Sequence, residues 1–285
     1  EACFVSQPTL SVAIKKLEKK LDVKIFERGA SEVSVTPLGN EIVRQAQSVI
    51  EQAAAIKEIA KRGKDPISGP LRLGIIYTIG PYLLPDLVRQ AIERVPQMPL
   101  LIQENFTVKL LEMLRTGELD AAIMAEPFPD TGLAVAPLYD EPFMAAVPKA
   151  HPLARRKSIT AEELKNETML LLGTGHCFRD HVLEVCPEYA RFSSDAEGIR
   201  KSFEGSSLET IKYMVASGMG VTVVPQLSVP KEPQTHVTYI KFAAPVPTRR
   251  VVLAWRRTFT RYEAIAALRN AIYACELPGV KRLTD

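Results

Sequence analysis

Leu10, Ile14, Leu17 and Leu21 follow one another at spacings of four, three and four, while Lys15, Lys16, Lys19, Lys20 and Lys24 fall off that face. This period predicts an amphipathic helix with a basic flank, opened by Ser6 as N-cap with Pro8 in the first turn. Val23–Arg28 and Val33–Val35 are short strand-like runs, and the turn residues Gly29-Ala30-Ser31-Glu32 between them predict a hairpin. A helix followed by a hairpin is a winged-helix pattern. Thr36-Pro37 then supplies an N-cap and a first-turn proline for a helix running to about Arg62. Within it Ile42, Val49 and Ile56 recur every seven residues, as do Ala46, Ala53 and Ala60. Large residues at one heptad position and alanine at the other form a seam along which two helices approach closely. No second apolar face is left to lay this helix on its own domain, so Ile42, Ala46, Val49, Ala53 and Ile56 are expected at a dimer contact.

Gly63-Lys64-Asp65-Pro66-Ile67-Ser68-Gly69-Pro70 is dense in helix and strand breakers and reads as a hinge. The expected organisation is a partial winged helix-turn-helix over 1–36, a dimerisation helix over 37–63, a hinge over 64–70 and a larger α/β domain over 71–285. In that last part strands are expected at Leu71–Tyr77, Leu100–Glu104, Ala121–Ala125, Met169–Leu172, Val221–Val224 and Val251–Trp255. Helices are expected at Pro81–Arg94, Val108–Leu114, Cys177–Val185, Ser207–Ala216 and Tyr262 to about Cys275. Two further apolar stretches, Leu133–Tyr139 and Phe143–Val147, separate two alternating sets. Such alternation predicts parallel sheets covered by helices, with ligands held at strand C-termini and helix N-termini.

Composition narrows the picture. A hydrophobic share of 46% and a charged share of 24% are those of an ordinary folded protein, and 285 residues suggest two domains. No apolar run approaches the ~18 residues of a membrane span. The start at Glu1-Ala2-Cys3-Phe4 has neither the basic region nor the apolar stretch of a signal peptide. It also lacks a methionine and opens inside an element already in progress, so the first helix of the head is expected to be missing. Residues 1–65 carry 11 Lys+Arg against 9 Asp+Glu, a balance that says little about nucleic acid. Four cysteines, at 3, 177, 186 and 275, are too few and scattered for a disulfide framework. With no Cys-x-x-Cys and only singly placed His151, His181 and His236, no metal site and no cofactor is expected. A reducing cytoplasm fits best.

The first turn of the opening helix carries Gln7, Thr9 and Ser11, short hydrogen-bonding side chains of the kind that read base edges and phosphates in a major groove. A solvated Lys-rich surface helix would look similar. At this point the chain resembles a known family. Val5-Ser6-Gln7-Pro8-Thr9-Leu10-Ser11, Ile14-Lys15-Lys16-Leu17-Glu18, Phe26-Glu27-Arg28 and Thr36-Pro37-Leu38-Gly39 resemble the winged helix-turn-helix of LysR-type regulators. Leu83-Leu84-Pro85, Leu119-Asp120-Ala121-Ala122-Ile123 and Gly218-Met219-Gly220-Val221 with Pro225 are similar to that family's effector domain, built of two periplasmic-binding-protein-like subdomains. Gly175-His176-Cys177-Phe178-Arg179-Asp180, with Cys186 nine residues after Cys177, is similar to the peroxide-sensing OxyR type within the family.

The resemblance spans essentially the whole chain and implies a homotetramer, a dimer of dimers, on promoter duplex DNA. Gln7, Pro8, Thr9, Ser11, Lys15 and the wing residue Arg28 would sit at the DNA. Thr78 and Thr107 would help hold hydrogen peroxide beside the reactive cysteine, in company with His176, Arg179 and Asp180. RNA polymerase and a thiol reductant of the glutaredoxin or thioredoxin type would be the further partners, and activation of transcription the outcome.

The residues alone point the same way but leave alternatives open. Cys177 follows Gly-Thr-Gly-His and precedes a helix, so exposed backbone N–H groups and the helix dipole would favour a thiolate, aided by Arg179 and a protonated His176. A thiolate attacks peroxide, and the resulting sulfenic acid condenses with a second thiol, of which Cys186 is the nearest in sequence. Along a straight helix nine steps of about 1.5 Å separate the two Cα atoms by about 13.5 Å, whereas a disulfide needs roughly 4.4–6.8 Å. Bond formation would therefore have to break the helix, which suits a switch better than a staple. Two unrelated core cysteines are the plain alternative, and Cys3 and Cys275 read as inert core residues. Three other functions fit parts of the pattern. They are a LysR-type regulator whose cleft binds a small organic effector through Thr78 and Thr107, a thiol peroxidase that turns over, and a solute-binding protein.

Overall fold

The computed structural model describes residues 6–28, 33–61, 67–129, 132–191, 202–205 and 207–283. Cys3, the expected 29–32 turn, residues 62–63 of the expected dimerisation helix and residues 64–66 of the expected hinge lie outside them. The chain divides into two compact units, one up to Gly63 and one from Lys64.

The first unit contains α1 (Gln7–Leu21), β1 (Phe26–Arg28), β2 (Val33–Val35) and α2 (Pro37–Lys61). Ser6 caps α1, its side chain accepting from the Thr9 amide at 3.4 Å. The helix stops at Asp22, in the left-handed region at φ 52. β1 and β2 pair antiparallel, Phe26 opposite Val35. The Thr36 hydroxyl accepts from the Gly39 amide at 2.8 Å and opens α2. The apolar face of α1 forms as expected, yet no residue of that helix is buried; among the described residues of the unit, Ile25 and Gly39 are buried.

The second unit contains β3 (Leu71–Ile76), α3 (Gly80–Arg94), β4 (Leu100–Asn105), α4 (Thr107–Thr116), β5 (Ala121–Ala125), β6 (Leu133–Pro148), β7 (Ser158–Ile159), α5 (Ala161–Leu164), β8 (Met169–Leu172), α6 (Cys177–Val185), β9 (Ser202–Gly205), α7 (Leu208–Ala216), β10 (Thr222–Pro225), β11 (Val237–Phe242), β12 (Thr248–Arg256), α8 (Tyr262–Ala274) and β13 (Lys281–Arg282). Buried side chains fall into two clusters. One gathers around β3, β5 and α8, with Leu73, Ile75, Leu83, Ile123 and Leu268, and the other around β8, β10 and α6, with Phe143, Leu170, Phe178, Ile211 and Val223.

The two expected stretches on either side of Asp140-Glu141-Pro142 are one strand. β6 runs through all 16 residues, its first part paired with β12 and its second with β10 and β11. It therefore passes from one core to the other. The charged Glu141 is tolerated inside the strand because a buried cation neutralises it, as described below. The expectation of parallel sheets also needs correction. β3 is parallel to β4 and β5, β8 to β9 and β11 to β7, but the shared strands β6 and β12 pair antiparallel with their neighbours. Among the described residues no helix is long and apolar enough to cross a membrane.

Candidate functional site

Three loops at strand C-termini converge on one small pocket: Tyr77 and Thr78 after β3, Asn105 at the end of β4 with Phe106 after it, and Gly175 and His176 before α6. Its free space is about that of one water-sized molecule. Thr107 and Cys177 line it as the first residues of α4 and α6, so two helix N-termini present their positive ends and unpaired amides to the same spot. The chain turns into α6 through Gly175 at φ +99, a conformation that side chains rarely adopt. His176 packs edge-on against the rings of Phe106 and Tyr77, with centroids at 4.9 and 5.9 Å.

Arg249 on β12 organises the floor of the site. Its guanidinium is 2% exposed and faces Glu141 of β6, which is 0% exposed. The two stand opposite each other in register. Arg249 Nε donates to Glu141 Oε2 at 2.9 Å, and the other carboxylate oxygen accepts from the Leu227 amide at 2.8 Å. The remaining guanidinium groups hold Thr78, with Nη1 donating to its hydroxyl at 2.8 Å and Nη2 to its carbonyl at 3.0 Å. The guanidinium also lies over the Phe178 ring, 5.1 Å from the centroid. A buried ion pair survives only when its lone pairs and protons are satisfied in this way. Because Thr78 accepts from Arg249, its own hydroxyl proton remains to be donated.

The electrostatics differ from the sequence expectation of a stored thiolate. Burial pushes the Cys177 thiol above its ordinary value, and this outweighs the Thr107 hydroxyl, the Arg249 charge and the Phe178 amide, which all favour ionisation. Thr107 Oγ1 is itself buried without a well-formed hydrogen bond. Asp180 does not line the pocket. It is exposed in the first turn of α6, and its charge opposes the thiolate. Arg179 points the other way, into the second core, where Nη1 donates to the Leu172 carbonyl at 3.1 Å. Thr78, Thr107, His176 and Cys177 are thus brought together, while Arg179 and Asp180 lie outside the pocket.

Cys186 caps the far end of α6 and is fully buried, its thiol pushed up to about 12 by burial, with Glu188 adding to the effect. Both cysteines, and Cys275, are free thiols. Cys275 is buried in the first core, where its thiol is likewise pushed up to about 12 by burial. No group of side chains able to hold a metal ion occurs among the described residues.

In the first unit Gln7, Pro8, Thr9 and Lys15 are exposed on α1 and Ser11 is half-buried; Arg28 ends β1 opposite Val33. On α2, Ile42 is half-buried, Ala46 and Ala53 are exposed, and Val49 and Ile56 are 56% and 67% exposed.

Residues 64–274 match the LysR substrate binding domain, and residues 1–40 match the bacterial regulatory helix-turn-helix protein, lysR family. The hydrogen peroxide-inducible genes activator of Pectobacterium carotovorum is 37% identical over 270 residues, covering 93% of this chain and 87% of that relative. A probable hydrogen peroxide-inducible genes activator of Mycobacterium avium is 38% identical over 275 residues, covering 95% and 86%. Among solved structures, a full-length OxyR variant from Pseudomonas aeruginosa is 49% identical, covers 96% of this chain and 91% of its own, and superposes with a TM-score of 0.79. A peroxide-bound OxyR variant from Corynebacterium glutamicum is 32% identical, covers 94% and 83%, and gives a TM-score of 0.68. With a winged helix-turn-helix followed by an effector domain of two periplasmic-binding-protein-like subdomains, and with relatives of this identity along nearly its whole length, the chain belongs to the LysR family and, within it, to the OxyR group of hydrogen peroxide-inducible genes activators.

Proposed function

We infer that this chain is a transcription regulator that binds promoter DNA and is switched by hydrogen peroxide through a reversible Cys177–Cys186 disulfide. The observation that carries the reading is the placement of the two thiols. One opens α6 in a pocket of peroxide size beside two hydroxyls, and the other closes the same helix, buried in the adjoining core.

The chemistry balances with these residues alone. Ionised Cys177 attacks one peroxide oxygen, the O–O bond breaks, and the departing hydroxide takes a proton to leave as water. Thr78 and Thr107 offer hydroxyl protons to the bound peroxide, and the Arg249 charge favours the anionic sulfur. The sulfenic acid then meets the Cys186 thiol, an S–S bond forms and a second water leaves. Two electrons from a cytoplasmic thiol reductant of the glutaredoxin or thioredoxin type restore the two thiols. The protein reacts once per reduction cycle and is a sensor rather than an enzyme. A pocket this small favours peroxide over an organic effector.

On the DNA side, α1 offers Gln7, Pro8, Thr9 and Ser11 to the major groove, with Lys15 and Arg28 at the phosphates. Two α2 helices pack along Ile42, Ala46, Val49, Ala53 and Ile56, and two such dimers form the tetramer that spans the operator and presents itself to RNA polymerase. Footprinting on promoter DNA tests the reading. Peroxide should change the protected pattern with the unsubstituted protein and leave it unchanged with Cys177→Ser; a Cys177→Ser protein that still responds would refute it.

A further inference from the structure

His181 sits in the middle of α6, 5% exposed, and the proposed reaction does not use it. Its Nε2 donates to the Glu126 carbonyl at 2.7 Å. Glu126 directly follows β5 in the first core, and its own amide donates to the Arg250 carbonyl of β12 at 2.9 Å. The other ring nitrogen, Nδ1, is buried without a partner, which fits a neutral ring with its single proton on Nε2. The imidazole packs beside Phe143 and Phe178. One turn earlier on α6, Phe178 lies under Arg249, also on β12. The helix that opens at Cys177 is therefore held at two adjacent points, to the end of β5 through His181 and to β12 through Phe178.

We propose that His181 is a positioning residue that sets the redox poise of the switch: its bond to the Glu126 carbonyl exists only while α6 is helical, so it stabilises the dithiol against the disulfide. The proposal rests on the Cys177–Cys186 reading above. Nine helical steps keep the two Cα atoms about 13.5 Å apart, too far for an S–S bond. His181 lies between them, and opening the helix takes it from the carbonyl. A neutral hydrogen bond contributes roughly 0.5–1.5 kcal/mol net, about a two- to thirteen-fold effect on an equilibrium. The ring's surroundings agree. Burial holds its pKa below the usual 6.5 in the helical state; the nearby Arg249 adds to this, and Asp180 and Glu184 on its own helix and the bond to Glu126 oppose it.

The test is equilibration of the full chain in glutathione buffers, where two glutathione thiols reduce one disulfide to two protein thiols and glutathione disulfide. His181→Phe keeps the bulk and removes the donor, and should shift the equilibrium about two- to thirteen-fold toward the disulfide, a potential more negative by about 10–35 mV. His181→Gln restores an N–H donor and should stay near the unsubstituted value. An unshifted His181→Phe, or a His181→Gln shifted as far as His181→Phe, would overturn the proposal. Should the variants not fold, NMR titration of the unsubstituted protein decides. The His181 pKa should lie below 6.5 in the dithiol and rise on oxidation. The disulfide form then binds the extra proton between those two values, so acidification favours it. Equal pKa values in the two states would overturn the proposal. Absence of a Cys177–Cys186 bond by mass in the oxidised protein would instead remove the reading beneath it.

Discussion

Burial and charge pull Cys177 in opposite directions, and burial wins. The resting protein therefore holds a thiol whose reactive form is a minority. Its oxidation rate at fixed peroxide should rise with pH through neutrality, close to tenfold per unit, and continue rising past the ordinary cysteine value of 9.0. Stopped-flow oxidation across about pH 6–10, roughly three units below and one above the ordinary thiol value, checks this; a plateau already reached by neutral pH would contradict it. Arg249→Met removes a cation that favours the thiolate and should slow the reaction at every pH. The same change strands Glu141 in the core and should cost about 3–5 kcal/mol in denaturant unfolding, far more than Glu141→Leu combined with Arg249→Met. Thr107→Val should slow oxidation by roughly five- to ten-fold without abolishing it, as expected for about one lost hydrogen bond.

At the scale of elements, α6 is the part that has to change. Hydrogen exchange on the dithiol and disulfide forms should show protection at Phe178–Val185 lost on oxidation, and unchanged protection with the bond confirmed would mean that no helix opens. α2 carries the second test. A charge at exposed Val49, as in Val49→Glu, should dissociate the dimer in sedimentation, because it would bury an unpaired carboxylate in the seam. These helices, and α1, were legible in the sequence. Ser6 and the four-three-four apolar spacing marked α1, Thr36-Pro37 and the heptad repeat marked α2, and the Gly-Thr-Gly-His turn marked the start of α6. Arg249 was not legible. Thr248-Arg249-Arg250 reads as a basic surface run, and only the alternation of a strand places Arg249 on the inward face with Val251 and Leu253. Its partner Glu141 falls between the two apolar stretches and carries no signal of its own. Each charge makes sense in the core only when the other is known to stand opposite, and that pairing joins residues 108 positions apart. The fully buried Cys186 could be read from spacing as a partner thiol, but its place inside the second core depends on packing from α7, β8 and β10.

At the scale of the whole effector domain, two hydrophobic cores share β6 and β12, and α3 and α7 are tied across them by Tyr82, whose hydroxyl donates to Glu209 at 2.5 Å. The reactive pocket is made of loops from both cores, and the helix that opens at Cys177 is anchored to the end of β5 and to β12. A local change in α6 therefore bears on the place where the two cores join. The account stands or falls on the bond itself. The sequence holds four cysteines, so thiol counting with peptide mass mapping, before and after one equivalent of peroxide, tests it directly. Four thiols should fall to two, with Cys177 joined to Cys186 and Cys275 still free. Four remaining thiols, or a bond that involves Cys3 or Cys275 in place of Cys186, would contradict it.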